Sequence, residues 1–136
     1  MLAADYIDTG KVKFVVYPYY LGRPEMGLAM EAAYCAKDQN KFFEYEHALY
    51  EVQGQIDYSP NSLVDLGASI GLDGDALRKC IANRQYRDFV ENGRKAATQR
   101  GVNSTPIFYI NNQRVEGNQP YDNLQRVIEQ ELAIAQ

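Results

Sequence analysis

Of the side chains that could carry nucleophilic or redox chemistry, this chain of 136 residues offers two cysteines, Cys35 and Cys80, and one histidine, His47. Thiol–disulfide exchange needs an attacking thiolate and a resolving thiol beside it, the first lowered in pKa by a helix N-terminus or a cation. No Cys-x-x-Cys occurs, and the two cysteines are far apart in sequence. Each falls late in a segment that reads as helix, where the helix dipole disfavours a thiolate. Both are poor nucleophiles. His47 follows Glu46 in a helical pattern and reads as a solvated surface residue, which is favoured over a Cys–His pair. One histidine and two separated cysteines build no metal site of the usual spacing. No Gly-rich loop is present to cradle a phosphate, and no cofactor is implied.

Charge and hydropathy remove further classes. Fourteen Lys and Arg against 18 Asp and Glu give a net charge of -4, and the only adjacent basic pairs are Arg78-Lys79 and Arg94-Lys95. Nucleic-acid binding needs a concentrated basic footprint, so no nucleic-acid partner is expected. No apolar run approaches the roughly 20 residues of a membrane span. Residues 1–6 lack the basic and apolar regions of a signal peptide.

The elements that must position these residues follow from periodicity and punctuation. Residues 2–8 read as the end of a helix, stopped by Thr9-Gly10. Residues 11–17 alternate and then turn wholly apolar before Pro18, which predicts an interior strand. Pro24 opens a helix over 24–38 with Met26, Ala29, Met30, Ala33 and Ala36 on one small-residue face. A second helical pattern runs through Phe42, Phe43, Tyr45, Leu49 and Tyr50. Ser59-Pro60-Asn61 starts a short helix over 63–70, closed by Gly71. Asp73 is a good N-cap for another over 74–83. A longer helix over 85–100 stops at Gly101. Ile107–Ile110 and Arg114–Glu116 read as a hairpin around Asn111-Asn112, since Asn tolerates the positive φ of a two-residue turn. Leu124, Val127, Ile128 and Leu132 mark a terminal helix. The Tyr17-Pro18-Tyr19-Tyr20 cluster reads as a strand end packed under a loop, with a groove lining as the weaker reading.

Pro106 stands where a strand begins. Proline cannot donate to a ladder, and X-Pro is the bond that readily becomes cis. A cis Thr105–Pro106 bond would turn the Thr105 backbone outward, towards a partner chain; a trans-Pro loop is the alternative.

The run Gly101-Val102-Asn103-Ser104-Thr105-Pro106-Ile107-Phe108-Tyr109-Ile110-Asn111, with Gly117–Leu124 and the terminal helix, resembles the C-terminal half of DsbA-like thioredoxin-fold proteins. Those read Gly-Val-x-Gly-Thr-Pro-x-Phe-x-Ile-Asn-Gly, with a cis-proline beside the active site. Ser104 and Asn112 stand where many relatives have glycine. Tyr6–Val12 is similar to the run into that family's second core strand, and Ala33–Tyr50 to its helical insert. The resemblance covers nearly the whole chain.

The resemblance implies an α/β protein: one thioredoxin-like domain over residues 1–136 with a helical insertion at about 40–84. It implies that the first core strand and the catalytic helix are lacking, because the family's Cys-x-x-Cys lies upstream of the Tyr6–Val12 block. The family oxidises or isomerises disulfides in exported proteins, which implies the periplasm or cell envelope. This chain, without the dithiol, is expected to be inactive alone; the alternative is a non-catalytic module that binds peptides or proteins. Thr105 and Pro106 are the implied contacts to an extended peptide or protein substrate. Cys35 and Cys80 are implied to form a structural disulfide between two helices of the insert, as in some relatives, with two buried free thiols as the alternative. Loss of a central strand would leave unpaired edges. The expected repairs are antiparallel pairing of 11–17 with 106–111, or a second copy covering the gap in a homo-oligomer.

Overall fold

The structure is a computed structural model and describes residues 1–135. It falls into two compact units, one formed by Met1–Val16 with the segment from Gly101 onward, the other by Tyr17–Arg100.

The second unit is helical. Its elements are α1 (Pro24–Lys37), α2 (Phe42–Glu51), α3 (Pro60–Ser69), α4 (Gly74–Ala82) and α5 (Arg87–Gln99). The starts follow local chemistry. Pro24 occupies the first turn of α1, where its missing N–H costs nothing. The Ser59 hydroxyl accepts from the Ser62 N–H at 3.3 Å to cap α3. Asp73 caps α4 by accepting from the N–H groups of Asp75 and Ala76 at 3.0 and 3.1 Å. Gln39 fixes that cap from outside, accepting from the Asp73 N–H at 2.8 Å and donating to its carbonyl at 3.3 Å.

The core of this unit centres on α1. Ala29, Ala32, Ala33, Cys35 and Ala36 are buried there with Tyr45, Leu63, Leu77 and Ile81 from α2, α3 and α4. Side chains this small let neighbouring helices approach closely, and Gly67 on α3 does the same: a Cβ there would lie 2.2 Å from the Leu77 side chain. The buried Tyr45 hydroxyl donates to the Leu63 carbonyl at 2.8 Å, satisfying its one polar atom.

A disulfide joins Cys35 to Cys80, with Cα atoms 5.9 Å apart. It ties α1 to α4, two helices of this unit. Small residues around Cys35 on α1 bring the Cys80 turn of α4 within bridging distance.

In the first unit a short π-helix (Ala3–Ile7) precedes the hairpin β1 (Ile107–Ile110) and β2 (Gln113–Glu116), and α6 (Tyr121–Ile134) closes the chain. The strands are antiparallel, with Ile107 opposite Glu116 and Ile110 opposite Gln113. Asn111 takes φ 52° in the two-residue turn, as its side chain permits. Tyr6 and Ile128 are buried, and the Tyr6 hydroxyl donates to Glu129 at 2.6 Å.

The strand expected over residues 11–17 is not formed; residues 12–21 have no regular secondary structure. A strand exists only with a ladder partner, and among the described residues the sheet consists of β1 and β2 alone. Pairing of 11–17 with 106–111 is therefore also absent. Phe14, Val15 and Tyr17 of the segment are exposed, and it is the following Pro18 that is buried, against Gly93; a Cβ on that glycine would lie 2.3 Å from the proline ring.

Two stability effects follow. The disulfide closes a loop of sequence separation 45, so reduction should lower unfolding free energy by up to about 4 kcal/mol; urea titrations with and without reductant measure it. The Asp57 carboxylate accepts from the Ser62 hydroxyl at 2.6 Å and the Ser59 N–H at 3.0 Å, which hold its pKa down to about 2 from 3.8. Its folded pKa lies below the unfolded one, so its contribution is complete above 3.8 and lost as pH falls towards 2. Ser62→Ala should flatten stability against pH in that window, read by thermal melts.

Candidate functional site

The loop from Gly101 to Pro106 is fixed at both ends. Gly101 takes φ 74°, a left-handed conformation that glycine adopts freely, and so ends the α5 segment. Its carbonyl accepts from the Arg114 guanidinium at 3.2 Å, and Arg114 is held in turn by Glu116 at 2.7 Å. Val102 is buried. At the other end the Pro106 carbonyl accepts from the Gly117 N–H at 2.9 Å, immediately before β1 begins. Between these anchors Thr105 and Pro106 are exposed, and the bond joining them is cis. Among the described residues no hydrogen bond takes up the Thr105 backbone N–H or C=O. The loop thus presents one residue's donor and acceptor to solvent on a rigid base.

The remaining sequence candidates are not brought together. Cys35 and Cys80 are consumed by their disulfide, and both are buried. His47 is exposed on α2, with Nε2 3.4 Å from Glu51 one turn on. No cluster of potential metal ligands occurs among the described residues. None of their helices is long and apolar enough to cross a membrane.

Sequence reasoning missed a charge cluster in the helical unit. Glu31 on α1 is only 3% exposed, and Arg84 grips both its carboxylate oxygens at 2.7 and 2.8 Å. This pair lines an open cavity of about 580 Å³ together with Tyr20, Arg87, Glu91 and Lys95. The Tyr20 hydroxyl donates to Glu91, and Arg94 stacks 5.3 Å from the Tyr20 ring centre while also pairing with Glu91 at 3.2 Å. The Tyr20 hydroxyl and then Arg94 hold the Glu91 carboxyl below its ordinary pKa. Acids and bases here neutralise one another, and no cysteine, serine, threonine or histidine is among the residues that line the cavity. One signal for it was present in the sequence: an acid inside the alanine-rich run 29–36 must be paired if it is to be buried.

The sequence model of the family described as Thioredoxin matches residues 1–130. The chain is 26% identical over 135 residues to "Disulfide bond formation protein D" of Bacillus subtilis, covering 94% of this chain and 60% of that protein. The chain belongs to the DsbA-like thioredoxin-fold family. Its fold is accordingly the α/β thioredoxin-like fold with a helical insertion, here rich in helix and carrying a two-stranded sheet. The structure "Crystal Structure of BdbD from Bacillus subtilis (oxidised)" has the same fold, with a TM-score of 0.83 at 24% identity, covering 97% of this chain and 75% of that one. A 94-residue stretch is also 31% identical to part of "Na(+)/H(+) antiporter NhaA 1" of Salinispora arenicola, spanning 14% of that protein. The chain thus spans about 60% of the length of the curated family relative.

The charge cluster has a measurable role. Arg84→Ala removes the guanidinium from a buried carboxylate and should destabilise the fold by about 2–3 kcal/mol. Arg84→Lys, which cannot grip both oxygens, should recover only part of it. Urea midpoints of the three proteins test both.

Proposed function

We propose that this chain supplies the substrate-docking loop of a DsbA-like disulfide oxidoreductase that acts on exported proteins in the cell envelope. The observation that carries the reading is the exposed Thr105 backbone beside the cis Pro106, with neither its N–H nor its C=O taken up among the described residues. An extended segment of substrate pairs with that donor and acceptor as an added strand would. Specificity for sequence is low, because main-chain groups do the recognising. The match to a disulfide bond formation protein supports the reaction class. The 136 residues contain no Cys-x-x-Cys, and Cys35 and Cys80 are tied to one another, so the chain by itself holds substrate and exchanges no disulfide. Thr105 acts through its backbone. Pro106 acts by fixing the direction in which that backbone faces.

Amide NMR titration with an extended, cysteine-free peptide of Val and Thr tests the docking. Shifts should centre on residues 103–107; Thr105→Ala should bind as the parent does, and Thr105→Pro, which lacks the N–H, about tenfold more weakly. Equal binding by Thr105→Pro would sink the assignment. In insulin reduction by dithiothreitol, the chain should leave the uncatalysed rate unchanged; turnover above that rate overturns the division between docking and exchange.

A further inference from the structure

A groove on the helical unit, between α1 and α2, is not used by the docking loop or by the charge cluster. Ala29 and Ala33 form its floor, and Met26, Met30, Phe42, Leu49, Tyr50 and Tyr58 wall it. One acid, Glu46, belongs to this largely apolar lining, with the neutral Gln53. It is half-buried, and it has no ion-pair partner among the described residues. Burial raises the pKa of its carboxyl, with no cation to counter the effect. An acid in a solvated position on α2 would be unremarkable; an unpaired one flanked by methionines and aromatics is costly and calls for a partner.

The size of the groove limits that partner. Its volume is about 100 Å³, well under the roughly 300–1,000 Å³ of sites that enclose whole small molecules. It accepts one long side chain. The side chain that matches both halves of the lining has an apolar stem and a cationic head, because such residues bury their methylenes and keep the charge at a polar group. Methionine walls suit this occupant, since thioethers adapt to irregular shapes and to more than one sequence.

We propose that the α1–α2 groove is a docking pocket for a single Lys or Arg side chain of a polypeptide partner, its stem on Met26, Met30 and Ala29 and its cationic head on Glu46. This partner site is independent of the Thr105 loop, so either assignment can fail without the other.

The three methionines, Met1, Met26 and Met30, make the test direct. With ¹³C-methyl methionine, two of the three signals report on the groove and Met1 serves as an internal control. Titration with the peptide acetyl-Ala-Leu-Lys-Leu-Ala-amide should move Met26 and Met30 and leave Met1 in place. Glu46→Gln, which keeps the shape and removes the charge, should weaken binding about tenfold. Replacing the peptide lysine by norleucine should weaken it as much, and the two changes together no further. Unmoved Met26 and Met30 signals at millimolar peptide would overturn the proposal, as would undiminished binding by Glu46→Gln. Movement of those signals with protein concentration alone would assign the groove to a second copy of the chain instead.

Discussion

The helical unit depends on α1 being enclosed by its neighbours, and that is possible only because the enclosed side chains are small. Ala29, Ala32, Ala33, Cys35 and Ala36 are each no more than 4% exposed. These five positions offer little apolar side-chain area; the helix is held by their close approach, by Tyr34 packing on Phe42, Tyr86 and Phe89, by the bridge to α4 and by the paired carboxylate at Glu31. The enclosure sets a rule for every polar group on α1. Glu31 meets it with a bidentate guanidinium, and Cys35 meets it by being oxidised.

The same rule explains what could be read from the sequence. Helices α1, α3 and α4 are written locally, in Pro24, in Ser59-Pro60 and in Asp73, because caps and first-turn prolines act over three or four residues. The hairpin is local too, fixed by Asn111-Asn112. The segment over 11–17 misled because alternation reports that one face is apolar and says nothing about where a ladder partner lies. Partnership is a long-range property, and so are the contacts that escaped notice: Glu31 and Arg84 are 53 residues apart, and Tyr6 and Glu129 are 123 apart. The loop around Thr105 was legible for the opposite reason. Its elements, Gly101, Pro106 and Gly117, lie within one short stretch whose backbone demands are specific to glycine and proline.

The two units are held together internally by different chemistry. The helical one relies on small apolar residues and a covalent bridge. In the other, Tyr6 and Tyr121 tie the N-terminal turn to α6 through Glu129 and Asp5, each at 2.6 Å. The cross-links of the unit that carries the Thr105 loop are therefore short, directional hydrogen bonds to carboxylates, roughly twice as strong as neutral ones.

That preference for phenols bonded to acids recurs, in Tyr20 with Glu91 and in Tyr86 with Asp38, and it has an optical consequence. The chain has 11 tyrosines and no tryptophan, so its ultraviolet emission is tyrosine emission alone. A phenol hydrogen-bonded to a carboxylate gives up its proton on excitation and emits weakly, whereas a phenol freed into water does not. The folded protein is therefore dim for its tyrosine content and brightens as these four bonds break, carrying its own folding reporter without a label.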